Sequence, residues 1–285
     1  MDYKNADALV STEWLAAHLS APDVRVVDAS YYLPIQNRDA REEYLEEHVP
    51  GAVFLDIDDV AADNSPYPHM VPTPEKFASR ARKLGLGNGN RVVVYDGTGF
   101  ASAAARVWWM LRLFGHQDVS VVDGGFPKWL REQRDVEDLP PMPRERHFVA
   151  RMNTTLLRTT EDVLANLESR REQVVDARAV GRFKGIDPEL WPVNKVGHIP
   201  GSLNVPFAEL IDDRHRTFQP ADVIVERFTA AGVDLDKPII CTCGSGVTAC
   251  VLALALHLIG HEQYSVYDGS WAEWGLRDDT PAEVG

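Results

Sequence analysis

Residues 238–250 read Pro238-Ile239-Ile240-Cys241-Thr242-Cys243-Gly244-Ser245-Gly246-Val247-Thr248-Ala249-Cys250, and this stretch decides the fold class. Pro238 to Thr242 is a short apolar run of the kind a fully buried strand carries. From Thr248 to Leu258 the apolar residues continue at helical spacing. Between the two, Gly244 and Gly246 give the backbone the freedom to curl tightly. A buried strand that turns through glycines into a helix predicts an α/β fold: a mainly parallel sheet with helices on both faces and ligands at the carboxyl ends of the strands.

The same pattern stands upstream. Arg91 to Tyr95 reads as a buried strand, Asp96-Gly97-Thr98-Gly99-Phe100 as a turn, and Ala101 to Phe114 as a helix. Other landmarks recur in the same order. Val26-Val27-Asp28-Ala29-Ser30 returns as Val174-Val175-Asp176-Ala177-Arg178, and His48-Val49-Pro50-Gly51-Ala52 as His198-Ile199-Pro200-Gly201-Ser202. Gly115-His116 returns as Gly260-His261, and Val122-Asp123-Gly124-Gly125 as Tyr267-Asp268-Gly269-Ser270. So long a period marks a duplicated domain and not a solenoid. Val24 to Val27, Val119 to Val122, Val174-Val175 and Tyr264 to Tyr267 read as further strands, and Thr73 to Leu84 and Ala221 to Ala231 as further helices. Pro140-Pro141-Met142-Pro143 has linker composition, which predicts domains over 1–140 and 151–285 joined by 141–150.

Composition narrows the function. A chain of 285 residues, 45% hydrophobic and 25% charged, suits two soluble domains. Its formal charge of −14 speaks against nucleic acid, whose phosphates call for clustered Lys and Arg. An anionic substrate then needs a local basic pocket. The first residues have neither the basic start nor the apolar run of a secretory signal, and no stretch has the length and apolarity to cross a bilayer, which predicts a cytoplasmic location and no membrane partner. The only cysteines, Cys241, Cys243 and Cys250, lie within ten residues of each other, so they form no stapling framework. The Cys-x-Cys pair lacks a second pair for a tetrahedral metal site. No metal is expected.

Cys243 sits where a strand gives way to a glycine turn and a helix N-terminus. That geometry turns successive N–H groups inward and adds the helix's partial positive charge, an environment that favours the nucleophilic thiolate. Cys241 and Cys250 lack the placement and are expected to pack. A cysteine phosphatase would close a similar cradle with Arg in Cys-x5-Arg, but that position holds Ala249 and no arginine stands from Cys241 to Ile259.

The Cys243-Gly244-Ser245-Gly246-Val247-Thr248 loop, the two His-hydrophobic-Pro-Gly turns and the paired Asp-Gly-Gly and Asp-Gly-Ser turns resemble the tandem-domain rhodanese family over nearly the whole chain. The loop is similar to that of the members acting on 3-mercaptopyruvate, whereas thiosulfate-preferring relatives carry basic residues after the cysteine. The resemblance implies that Cys243 takes sulfur from 3-mercaptopyruvate as a persulfide and passes it to a thiol such as thioredoxin, or to cyanide, with no dissociable cofactor. It also implies that Ser245, His69 and Asp58 form a proton relay, that Gly244, Gly246, Val247 and Thr248 line the substrate loop, and that Arg182 grips the substrate carboxylate. One departure stands out: Trp191 occupies the place of a second carboxylate-binding arginine, leaving Lys184 or Lys195 as candidate replacements. The N-terminal copy, with no cysteine after its strand, is expected to close the cleft and supply Asp58 and His69. His48, His198 and the pair Trp108-Trp109 read as structural. A thiosulfate:cyanide sulfurtransferase and a non-catalytic sulfur carrier remain the alternatives.

Overall fold

The computed structural model describes residues 2–285 and holds two copies of one α/β unit. The first runs β1 (Leu9–Val10), α1 (Thr12–His18), β2 (Val24–Asp28), α2 (Ala40–Glu46), β3 (Val53–Phe54), α3 (Ile57–Val60), α4 (Pro74–Lys83), β4 (Arg91–Tyr95), α5 (Ser102–Leu113), β5 (Val119–Val122) and α6 (Gly125–Arg131). The second runs β6 (Leu157–Arg158), α7 (Thr160–Ser169), β7 (Gln173–Asp176), α8 (Val180–Phe183), β8 (Leu203–Asn204), α9 (Ala221–Ala230), β9 (Ile239–Thr242), α10 (Ala249–Leu258), β10 (Tyr264–Tyr267) and α11 (Ser270–Trp274). The two five-stranded sheets have the orders β1-β5-β4-β2-β3 and β6-β10-β9-β7-β8, parallel throughout. Strand period places successive side chains on opposite faces. Val92 and Val94 of β4 accordingly join the core beneath α5, while Val93 and Tyr95 face Leu15 of α1 and Trp129 of α6. In the second sheet Ile239 and Cys241 face α10, and Ile240 faces Val163 of α7 and Trp271 of α11.

The long strands and helices lie where the hydrophobic pattern puts them, within a residue or two. The strand expected from Pro238 begins instead at Ile239, since proline has no N–H for the ladder, although its carbonyl accepts the Gln173 N–H at 2.9 Å. The edge strands β1, β3, β6 and β8 have two residues each, too few for any period to register. No helix among the described residues is long and apolar enough to cross a membrane. Residues 141–150 carry no helix or strand, yet Phe148 is buried against Phe77, and the Arg151 N–H donates to the Phe114 carbonyl, so this segment is pinned along the N-terminal half.

Helix α10 is apolar on every side and buried throughout except at His257, the pattern of a helix enclosed by protein. It packs on α5, and one continuous core runs through both halves by way of this pair. Trp108 and Trp109 are fully buried in that core. The repeated His-Pro-Gly turns have a structural explanation: His48 exchanges two backbone hydrogen bonds with Glu137, and the Glu137 carboxylate accepts the Gly51 N–H. His198, Glu283 and Gly201 repeat the arrangement. Each glutamate thus ties the end of its copy to the turn ahead of its short edge strand.

Candidate active site

The β9–α10 loop lies at the carboxyl end of the second sheet, on a cavity of about 300 Å³ walled by both halves. Cys243, Gly244, Ser245, Val247 and Thr248 line it, with Arg178, Arg182, Leu190, Trp191 and Phe207. The N-terminal half adds Tyr31, Leu33, Gln36, Thr98, Phe100 and Ser102. Cys243 is 2% exposed, and its N–H donates to Ser270 Oγ at 3.1 Å. That hydroxyl lies 4.0 Å from the Cys243 sulfur and 2.9 Å from the Tyr267 carbonyl, so its proton can serve either. Ser270 was not among the expected site residues. Its signal is conformational: φ is +49°, a value held in the other copy by Gly125 at +54°. A non-glycine residue in this region marks strain that the surroundings impose.

The N–H groups of Gly244 through Thr248 donate to no partner among the described residues, so five consecutive donors remain free around the sulfur. What such a loop holds is visible in the duplicate. Asp96 follows β4 as Cys243 follows β9, and its carboxylate accepts N–H groups from Thr98 at 3.0 Å, Gly99 at 3.2 Å and Ala104 at 3.1 Å. The N-terminal cradle is therefore filled by its own anion. The C-terminal one, with a thiol in that place, keeps its donors for a sulfur anion. A side chain at Gly244 would meet Arg182 Nη2 at 2.7 Å and push the end of that side chain aside. Gly246 adopts φ +77°, and a side chain on it would collide with the Asp268 carbonyl. Gly246 does not line the cavity. Its carbonyl instead accepts from Arg106 Nη1 at 3.2 Å and from the Cys250 thiol at 3.3 Å.

His69 and Asp58 come together as expected: His69 Nδ1 is 2.6 Å from Asp58 Oδ1, with the histidine ring buried and the carboxylate largely exposed. Neither residue lines the cavity itself: the His69 ring stands behind its wall, edge-on to Tyr31 at 4.9 Å and to Trp191 at 5.4 Å. Its Nε2 is buried and has no hydrogen-bond partner, so the link to Ser245 is not made. Of the three residues expected to act together, His69 and Asp58 meet and Ser245 stands apart.

Arg182 donates through Nε and Nη2 to Glu189 Oε2, at 3.2 and 3.0 Å. The second cation on the cavity is neither of the lysines considered. Lys195 Nζ is bound by carbonyls of Arg277 and Thr280, and Lys184 is exposed; neither lines the wall. The wall carries Arg178 instead, fully buried, its guanidinium already held by Asp176, by Glu189 Oε1 at 2.6 Å and by the Gly197 carbonyl at 2.8 Å. Trp191, half-buried, fills the space beside Arg182 with an indole. The other thiols are unsuited to chemistry: burial pushes Cys250 up to about 12 and Cys241 well above the ordinary range, so both stay protonated.

Arg106, also absent from the expected set, comes from α5 of the N-terminal half. It is 1% exposed and stacks over Trp109. Besides the Gly246 carbonyl it serves the His69 carbonyl at 2.6 Å and pairs with Asp268 at 2.7 Å. Asp268 in turn accepts the Val71 N–H at 2.6 Å. The other side of the interface mirrors the last contact, Asp123 accepting the Phe218 N–H at 2.8 Å, but holds no arginine at the matching place. A buried charge of this length has no sequence signature inside an apolar helix, beyond being an arginine that a core would not otherwise admit.

Comparison with known proteins agrees with this architecture. The rhodanese-like domain family matches residues 11–132 and 159–277. The chain is 46% identical over 276 residues to the 3-mercaptopyruvate sulfurtransferase of Homo sapiens, covering 95% of this chain and 92% of that one. It is 48% identical over 273 residues to the thiosulfate sulfurtransferase of Bos taurus, covering 94% and 91%. Among solved structures, the 3-mercaptopyruvate sulfotransferase SseA of Escherichia coli superposes with a TM-score of 0.85 at 40% identity, over 93% of this chain and 98% of that one.

Proposed function

The chain belongs to the rhodanese-like family, with two such domains in tandem, and from that premise we propose that it transfers sulfur from 3-mercaptopyruvate to Cys243 and on to a thiol acceptor. The observation that carries the reading is the free N–H cradle around Cys243 beside the His69–Asp58 pair, where the duplicate loop is filled by Asp96. The Cys243 thiolate attacks the sulfur of mercaptopyruvate; the C–S bond breaks and its electron pair stays on carbon as pyruvate enolate. Arg182 holds the substrate carboxylate, while His69 supplies the proton that turns enolate into pyruvate. The loop N–H groups of Gly244, Ser245, Gly246, Val247 and Thr248 stabilise the outer sulfur of the persulfide. A thiolate such as that of reduced thioredoxin, or cyanide, then attacks that sulfur and Cys243 leaves as thiolate. Three buried free thiols suit a reducing compartment, in keeping with a cytoplasmic location that cell fractionation can test.

Incubation with mercaptopyruvate and no acceptor should release pyruvate in an amount equal to the enzyme and add one sulfur atom to the peptide carrying Cys243, read by mass spectrometry. Loading from thiosulfate alone, with no pyruvate, would instead assign the thiosulfate:cyanide reaction, and loading from neither would leave a carrier. The relay has its own signature. His69→Ala should slow turnover of mercaptopyruvate by about a hundredfold or more, and Ser245→Ala should slow it in the same direction, both with a much smaller effect on thiosulfate, because only the former donor leaves a carbanion in need of a proton. Equal losses with both donors would reduce the two residues to supports of the loop.

A further inference from the structure

Every charge on the cavity wall is already balanced. Among the described residues, Arg178 and Arg182 are the only charged ones lining it. Behind them, Asp176 accepts from Nε and Nη2 of Arg178, and Glu189 gives one carboxylate oxygen to each arginine. The Asp176 and Glu189 side chains are 1% and 4% exposed, so water does little to screen either. One buried cation, Arg178, and one partly exposed cation, Arg182, facing two buried anions sum to zero. The remaining wall is largely apolar, from Leu33 and Phe100 on one half to Trp191, Phe207 and Val247 on the other. An anion entering such a site finds hydrogen-bond donors, since Arg182 keeps N–H groups beyond the two spent on Glu189. It finds no uncompensated positive charge, and each further negative charge it carries costs more to take out of water.

We propose that Glu189, by neutralising the arginine pair, sets the charge of the sulfur donor: the site takes a compound with a single carboxylate and discriminates against a doubly charged oxyanion such as thiosulfate. The proposal rests on the sulfur-transfer reading for the identity of the donors, but not for its physical test. Glu189 touches no substrate and acts through Arg178 and Arg182. Removing its charge should help every anionic donor, and a dianion about twice as much as a monoanion.

The test uses the full chain with Glu189→Gln, which keeps the shape and removes the charge, and Glu189→Asp, which keeps the charge. In Glu189→Gln the kcat/KM for thiosulfate relative to mercaptopyruvate should rise on the order of tenfold, the effect of one extra unit charge a few ångströms away at intermediate dielectric. Glu189→Asp should keep the wild-type ratio. Alkylation of Cys243 gives the same answer without turnover: the rate with iodoacetate relative to uncharged iodoacetamide should rise severalfold in Glu189→Gln only. If Glu189→Gln fails to fold, Arg182→Gln tests the opposite sign and should lower the iodoacetate-to-iodoacetamide ratio. Ratios that do not move overturn the proposal. Wild-type protein that takes no sulfur from mercaptopyruvate, yet shows these alkylation ratios, overturns the functional reading and leaves the charge rule standing.

Discussion

Cys243→Ser should abolish sulfur transfer from mercaptopyruvate, whereas Cys241→Ser and Cys250→Ser should retain it. The three thiols lie within ten residues of one another and differ only in what surrounds them. Cys241 points into the core beneath α10, and Cys250 spends its hydrogen on the Gly246 carbonyl; burial holds both protonated at any working pH. Cys243 alone lines the cavity, under an N–H cradle with no internal occupant. A serine alkoxide at the same place would be far too basic to form, and the S–S bond that stores the transferred atom could not be made. Single-turnover pyruvate release measures the loss directly. Cys250→Ser should cost some stability, because a hydroxyl is dearer to bury than a thiol, but its kcat should stay near the wild-type value. Persulfide found on Cys241 or Cys250 would displace Cys243 as nucleophile.

The division between what was legible in the sequence and what was not follows from where each signal lives. The duplication, the parallel α/β class and the reactive loop are written in contiguous residues, as strand runs, glycines and a helix start, and local pattern suffices to read them. The pairing of His69 with Asp58 was reachable through the family resemblance, because both residues lie in one segment. Arg106, Asp268, Glu189 and Ser270 were not. Arg106 meets Gly246 across 140 residues of chain, and Asp268 meets Val71 across 197, so no window of sequence contains either contact. Glu189 reads locally as a surface acid in a proline-containing loop and becomes a buried counter-ion only where that loop packs against Arg178 and Arg182. The substitution at Trp191 suggested a lysine as replacement cation. The cavity wall instead carries Arg178, which had served only as a landmark of the repeat, because which cation faces the site depends on tertiary placement.

Arg106→Met should destabilise the protein by about 3–5 kcal/mol, the cost of stranding one partner of a buried ion pair. Asp268 would be left in the core, 3% exposed, with the Val71 N–H as its remaining partner. Pairing the change with Asp268→Asn removes the stranded charge and should recover part of that loss, a coupling that denaturant unfolding of the two single variants and the double variant would measure. Activity should not recover with it. Arg106 is the one group that holds the Gly246 carbonyl of the sulfur cradle and the His69 carbonyl of the proton donor at once, 3.2 and 2.6 Å from the same guanidinium. The two halves of the reaction come from different domains, and a shift of about 1 Å between them is enough for a loss of roughly a hundredfold. The double variant should therefore load sulfur onto Cys243, and release the matching pyruvate, slowly, with kcat reduced more than KM is raised. Arg106→Lys, which keeps the charge and loses the fork, should fold better than Arg106→Met and still fall short in kcat, because an ammonium cannot span both carbonyls and Asp268 in one plane. A double variant whose kcat returns together with its stability would make Arg106 a bolt between domains with no part in aligning His69 on Cys243.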